Sequence, residues 1–179
     1  MHIVTLCGSL RADSINKILA MEAAKLAEGM TLELEPIDSL PLYNQDTEAI
    51  AFPAEATHLK ERIASAAGVL IFTPEFNRGI PGPLKNALDW TSRPDGTHPW
   101  RGKPVGVLGA SSGPRGAVVA QYDIKRMMLY FGAHVMGTPE FYVDNSNKKI
   151  DGGTVRDEKT KEYLIRYLQA FKQHVGRFV

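Results

Sequence analysis

Three loops rich in glycine, serine and proline carry the side chains that are best suited to bind a ligand. In the first loop, residues 8–14, Arg11 and two hydroxyl groups directly precede a run with helical spacing. Free amides and the positive end of a helix dipole favour an anion, and hydroxyl, guanidinium and amide side chains add donors. The donors here are Ser9, Arg11, Ser14 and Asn16. The first loop therefore fits a phosphate group.

The other two loops follow apolar runs that are typical of buried strands. Residues 73–82 contain two prolines and two glycines, which exclude regular structure and precede a helical run. Residues 109–116 are glycine-rich and contain Ser111 and Gly113. In open α/β sheets, ligands bind just beyond the carboxyl ends of the strands. We therefore expect the three loops to meet around one ligand.

Strands and helices are predicted to alternate along the whole chain. The predicted strands are 2–7, 31–37, 68–72, 104–108 and one within 134–142, and the predicted helices run from 15 to a stop near Gly29 and over 54–67, 84–90, 117–131 and 159–175. Residues 40–53, 93–103 and 144–153 are expected to be surface loops. The alternation predicts one α/β domain over residues 1–179, with a five-stranded parallel sheet and helices on both faces.

Composition indicates a compact cytoplasmic enzyme rather than a nucleic-acid or membrane protein. The chain has 179 residues, 44% of them hydrophobic, and a net charge of +1. A net charge this close to zero gives no overall electrostatic attraction to nucleic acid or an anionic membrane. No apolar run reaches membrane-spanning length. We expect no signal peptide. A single cysteine suits the cytoplasm, and the five histidines lack metal-ligand spacing, so no metal is expected.

Together the three loops resemble the NAD(P)H-dependent FMN reductase family, which includes quinone, azo and chromate reductases. The resemblance covers roughly residues 2–132 and is most specific in its central motif. The matching motifs are Gly8-Ser9-Leu10-Arg11-x-x-Ser14-x-Asn16, Pro74-Glu75-Phe76-Asn77 with Pro81-Gly82-x-Leu84-Lys85-Asn86-Ala87-x-Asp89-Trp90, and Gly109-Ala110-Ser111-x-Gly113. The resemblance implies a flavodoxin-like three-layer fold, non-covalent FMN, NADPH or NADH as electron donor, and a homodimer or homotetramer.

Carried over position by position, the resemblance implies eleven cofactor-binding residues and no catalytic side chain. Those around the FMN phosphate are Ser9, Arg11, Ser14, Ile15 and Asn16, those along the isoalloxazine are Pro74, Glu75, Phe76 and Asn77, and those on its other side are Ser111 and Gly113. Amides of residues 111–116 are expected to stabilise the reduced ring. Gly79 and Val119 depart from the family's usual serine and arginine, so any contact made by those side chains is absent here.

The predicted activity is ping-pong, two-electron reduction of a small oxidant such as a quinone, an azo compound, chromate or free flavin. Arg78 and Arg115 are candidates for contacting the 2′-phosphate of NADPH. A flavodoxin-type electron carrier remains an alternative, although the balanced charge and Arg11 disfavour it. A low-molecular-weight phosphatase with Cys7 as nucleophile is a weaker alternative, because only three residues separate Cys7 from Arg11 where that class has five.

Large apolar side chains near the central loop suggest a subunit interface. Leu84, Leu88 and Trp90 lie on the predicted helix after that loop, and Trp100 stands among prolines and glycines with little local core to enter. We expect Trp100 to be exposed on the isolated chain and buried against a second copy, with the alternative that it folds back onto its own domain.

Overall fold

A parallel sheet forms the centre of the protein in a computed structural model, which describes residues 1–178. Its strand order is β2-β1-β3-β4-β5. The strands are β1 (His2–Cys7), β2 (Thr31–Leu34), β3 (Gly68–Thr73), β4 (Pro104–Ala110) and β5 (His134–Val135), and β6 (Tyr142–Val143) pairs with the far end of β4. Every residue of β3 and β4 is buried, which explains their unbroken apolar sequence. The predicted five-stranded parallel sheet is confirmed.

Helices cover both faces of the sheet, as predicted. They are α1 (Ile15–Leu26), α2 (Gln45–Ile50), α3 (Ala54–Ser65), α4 (Gly82–Thr91), α5 (Val118–Tyr130) and α6 (Glu158–Val175). One core cluster joins the sheet to α3, α4 and α5 through residues such as Ile63, Leu84 and Met128. The other joins it to α1 and α6 through Leu19 and Phe171. No helix within residues 1–178 is both long and apolar enough to cross a membrane.

Two of the predicted surface loops contain regular structure. Residues 40–53 include α2, and Tyr43 and Phe52 from this segment pack edge-on against Trp90 with ring centroids 5.0 and 5.4 Å away. Residues 144–153 include a single 3₁₀ turn (Ser146–Lys148) and begin a hairpin of β7 (Ile150–Asp151) and β8 (Thr154–Val155). The prediction of a loop over residues 40–53 was wrong because α2 buries none of its residues, so the sequence shows no helical periodicity there.

The expectation that Trp100 is exposed was also wrong. Its side chain is fully buried within its own chain, and its indole Nε1 donates a hydrogen bond to Thr91 Oγ1 at 3.1 Å. Leu84, Leu88 and Trp90 are fully buried as well. The loop after α4 folds back over the core, so these side chains stabilise the subunit and leave nothing to present to a second copy.

Candidate functional site

The three predicted loops meet in a cleft of about 120 Å³ at the carboxyl ends of β1, β3 and β4. We call it the three-loop cleft. Nine of the eleven predicted residues line it, whereas Asn77 and Gly113 do not. The lining residues are Ser9, Arg11, Ser14, Ile15, Asn16, Pro74, Glu75, Phe76, Ala110, Ser111 and Ser112. Ala110 and Ser112 are additions that adjacency to the predicted Ser111 would have suggested.

The start of α1 offers free donors to this cleft. Ser14 is extended and caps the helix, accepting a hydrogen bond from the Lys17 amide at 3.3 Å. Within residues 1–178, no protein acceptor binds the amides of Ile15 or Asn16. The guanidinium of Arg11 is exposed, and no carboxylate within residues 1–178 forms an ion pair with it. Open amides, the helix dipole and a free guanidinium together fit a phosphate group.

Asn16 has a structural role that its position in the motif did not reveal. Its side chain is buried, donates from Nδ2 to the Ala110 carbonyl at 3.0 Å, and accepts from the Ala110 amide at 2.9 Å. This pair of bonds joins the first loop to the end of β4. The prediction that Asn16 binds phosphate therefore rests chiefly on its main-chain amide.

The second loop contains a tight turn that places an aromatic ring at the rim. Asn77 and Arg78 have φ values of 51° and 61°, and the Gly79 amide donates to the Phe76 carbonyl at 3.0 Å. Two central residues with positive φ characterise a type I′ turn, and asparagine tolerates this backbone well. The Phe76 side chain is 57% exposed at the mouth of the cleft. It provides an open apolar surface for a planar group.

Glu75 extends from the second loop to the start of α5. Its Oε2 accepts hydrogen bonds from the amides of Val119 and Ala120 at 2.8 and 3.2 Å. Its Oε1 lies 3.4 Å from Arg78 Nη1, and only 10% of the side chain is exposed. Both carboxylate oxygens therefore already have protein partners, which leaves this side chain poorly placed to take a proton from a ligand.

The third loop is attached to β6 and the turn that follows it. The Ser111 amide donates to the Val143 carbonyl at 2.9 Å, and the Ser146 amide donates to the Ser111 carbonyl at 3.0 Å. The Asn145 amide likewise donates to the Gly113 carbonyl at 2.9 Å. The amide of Ser111 is thus already bound, and any donors to a ligand ring from this loop must come from the amides after it.

Close backbone packing behind the cleft explains two of its glycines. A Cβ at Gly109 would lie 2.2 Å from the Thr73 carbonyl oxygen, and a Cβ at Gly8 would lie 3.2 Å from side-chain atoms of Leu84, Pro74 and Pro81. The first distance is impossible for a side chain, and the second leaves little room for one. Glycine at both positions therefore allows the loops to approach one another closely.

A second groove is larger, at about 550 Å³, and lies between the chain segment of β6 and α6. Two of its carboxylates already have partners: Asp144 forms an ion pair with Lys149, and Asp157 caps α6 by accepting from the Thr160 amide, whereas the Tyr142 hydroxyl is buried there without a hydrogen-bond partner among residues 1–178. None of the three loops reaches it. We assign function to the smaller cleft because the open amides of the α1 start and the unpaired Arg11 come together there, at the carboxyl ends of three parallel strands.

Cys7 has the properties of a buried core residue. Its side chain is 6% exposed, and burial raises the pKa of the thiol above its ordinary value. A nucleophilic cysteine needs the opposite shift of its pKa. The geometry therefore disfavours the phosphatase alternative.

Comparison with known proteins identifies the family. The family model for NADPH-dependent FMN reductase matches residues 1–148. The chain belongs to the NADPH-dependent FMN reductase family. It is 41% identical over 173 residues to a 2-hydroxy-1,4-benzoquinone reductase of a Burkholderia species, covering 96% of this chain and 94% of the relative. It is 39% identical over 184 residues to a quinone reductase of Escherichia coli strain K12, covering 99% and 96%.

A solved structure extends this agreement to the fold. The flavoenzyme NAD(P)H:(acceptor) oxidoreductase FerB from Paracoccus denitrificans superimposes with a TM-score of 0.91 at 40% identity, covering 99% of this chain and 98% of FerB. Membership in the NADPH-dependent FMN reductase family confirms the resemblance drawn from the three motifs, the flavodoxin-like fold and the oxidoreductase class. It also confirms FMN and a nicotinamide nucleotide as the cofactors.

Proposed function

We propose that this member of the family reduces quinones at the expense of NAD(P)H, with FMN bound in the three-loop cleft. The observation that carries the proposal is the open start of α1, where two free amides and Arg11 face a cleft that also has an exposed aromatic rim. The quinone reductases named above support the choice of oxidant, since they share about two fifths of their residues with this chain.

The residues of the cleft divide between the two ends of the cofactor. The FMN phosphate is held by the amides of Ile15 and Asn16, by the hydroxyl groups of Ser9 and Ser14, and by Arg11. The isoalloxazine lies along residues 74–76 and 111–112. A volume of 120 Å³ is below the roughly 300–1,000 Å³ of sites that enclose a whole ligand. The cleft therefore encloses the phosphate end and leaves part of the ring open.

The open rim also explains the proposed kinetic order and range of oxidants. When bound, FMN supplies the redox chemistry, taking two electrons from NAD(P)H and giving them to the oxidant. We infer that donor and oxidant occupy the rim beside Phe76 in turn, which gives ping-pong kinetics. Such a rim selects weakly, so azo compounds, chromate and free flavin belong to the proposed range. Arg78 and Arg115 remain the proposed contacts for a 2′-phosphate.

Flavin titration followed by steady-state kinetics tests this function. We expect the purified protein to bind FMN with micromolar or better affinity and riboflavin at least about tenfold more weakly, because riboflavin lacks the charge-assisted phosphate contacts. With FMN bound, initial rates for NADH or NADPH against 1,4-benzoquinone should give parallel double-reciprocal lines. Equal affinity for the two flavins would contradict the phosphate assignment, and no flavin binding would contradict the function.

We also propose a homodimer, now on a different surface. Tyr122, Leu129 and Tyr130 lie on one side of α5 and are 54%, 64% and 86% exposed. Their spacing of seven and eight residues places them on one helix face, with Tyr122 about one turn from the start of α5 and the other two in its last turn. Sedimentation of the wild-type protein and of a Leu129→Ser, Tyr130→Ser variant tests this: a dimer that the double substitution leaves intact would exclude this face.

A cytoplasmic location remains a prediction.

A further inference from the structure

We propose that Glu75 is a positioning residue that fixes the two ring-facing walls of the three-loop cleft by capping α5 from the second loop. The proposal builds on the function proposed above, because its consequence is measured as flavin affinity. Its structural basis lies in the protein alone, in the two hydrogen bonds that Glu75 Oε2 accepts from Val119 and Ala120.

Helix α5 has no cap of its own. Ala117 stands at the capping position with φ of 62° and a methyl side chain that accepts no hydrogen bond. The first-turn amides of a helix have no partner within the helix and need one elsewhere. The Val118 amide donates to the Arg115 carbonyl at 3.1 Å. Glu75 accepts from the next two amides, so the amides of residues 118–120 are all bound.

The charge of Glu75 strengthens this arrangement. A carboxylate at a helix N-terminus interacts favourably with the helix dipole, and the low exposure of the side chain limits screening by solvent. The same carboxylate occupies the position that an anionic ligand would otherwise take. Of the two helix starts at the cleft, α1 is therefore open to a phosphate and α5 is closed by Glu75.

Glu75 is one of several side-chain and backbone connections that hold the loops in place. Asn16 joins the first loop to Ala110, Ser111 joins the third loop to β6, and Glu75 joins the second loop to α5 at the end of the third. Loops rich in glycine and proline would otherwise sample several arrangements. Fixing them before the ligand arrives reduces the ordering cost of binding.

A pair of variants with a matched control tests the proposal. Glu75→Ala removes the acceptor, whereas Glu75→Gln keeps an oxygen and removes the charge. Asp157→Ala is the control, because Asp157 caps α6 through the Thr160 amide at 2.8 Å and lies outside the cleft. Amide hydrogen exchange of the flavin-free protein, and equilibrium titration with FMN and riboflavin, are measured for each variant.

In Glu75→Ala, exchange protection at Val119 and Ala120 should fall about two- to thirtyfold, the range that corresponds to loss of a helix cap. Affinity for FMN and for riboflavin should fall by the same factor, roughly three- to tenfold, because the ring walls are loosened and the phosphate site is not. Glu75→Gln should lie between Glu75→Ala and the wild type in both measurements. Asp157→Ala should lower the stability of α6 and leave both affinities unchanged.

Several results would overturn the proposal. Unchanged protection in Glu75→Ala would show that the cap is not energetically significant, and reduced protection with unchanged affinities would show that it does not position the cleft. If Glu75→Ala does not fold, Glu75→Gln decides the matter by the same two criteria. If the wild-type protein binds neither flavin, the proposed function fails instead, while amide exchange still reports on the cap.

Discussion

Replacing Arg11 with alanine separates the phosphate end of the cofactor from its ring. Arg11 lies in the cleft beside the free amides of the α1 start, and its side chain is exposed. No carboxylate within residues 1–178 pairs with it, so its removal leaves no other charge unpaired. We expect the fold to be unaffected and FMN affinity to fall.

The size of the effect follows from the kind of contact that is lost. A hydrogen bond to a charged group contributes about 1.5–3 kcal/mol, which corresponds to roughly ten- to a hundredfold in affinity. Because Arg11 is exposed, solvent screens part of this interaction, and the expected loss lies near the lower end. Riboflavin has no phosphate, so its affinity should not change.

Titrations monitored by flavin fluorescence, at two salt concentrations, measure both predictions. The wild-type affinity for FMN should weaken with salt more than that of Arg11→Ala, since a charge contact has been removed from the variant. Arg166→Ala is the matched control, because Arg166 is an exposed arginine that lines the other groove. An Arg11→Ala variant that binds FMN as tightly as the wild type would refute the assignment of Arg11 to the phosphate.

Three further predictions concern stability and the thiol. Asn16→Ala should lower the free energy of unfolding by about 2–4 kcal/mol in denaturant titrations, because it leaves the buried amide and carbonyl of Ala110 unpaired; a change below half of that would contradict the joining role. Cys7→Ser should keep quinone reductase activity, and loss of turnover would reopen a role for the thiol. A hydrogen bond from His2 helps to hold the pKa of Glu33 below its ordinary 4.5. A lowered acid pKa contributes stability that disappears as pH falls through the folded-state value, so Glu33→Gln should destabilise the protein near neutral pH and have no effect in acid.

Much of the fold was predictable because its central strands are buried on both faces. The apolar runs of β3 and β4 leave no room for another interpretation, and the cap at Ser14 was confirmed by the bond from Lys17. Helices that cover the sheet carry an apolar stripe for the same reason. The bounds of α5 and α6 therefore fall within about a residue of those predicted, whereas α1 ends at Leu26, before the predicted stop near Gly29.

Features that leave no periodic pattern in the local sequence were not predictable. Helix α2 makes no buried contact, so its sequence carries no periodic signal. Trp100 was placed at the surface because its neighbours are prolines and glycines, yet its indole enters the core and binds Thr91. An aromatic residue in a loop has the same local sequence whether it covers its own core or a partner's surface. Only the path of the chain distinguishes the two cases.

The sequence predicted which residues line the site. It did not predict which of them are free to bind a ligand and which hold the loops in place. A sequence shows which side chains are able to donate or accept hydrogen bonds, but it does not show which of them the backbone already occupies. The amide group of Asn16 binds the main chain of Ala110 at the end of β4, and the carboxylate of Glu75 binds the main chain at the start of α5, 94 and 44 residues away along the chain. Because these two side chains are already occupied, the groups that remain for the phosphate are the α1 amides, the serine hydroxyl groups and Arg11. The side chains of Asn16 and Glu75 thus build the cleft, whereas main-chain amides, hydroxyl groups and one guanidinium are left to bind the ligand.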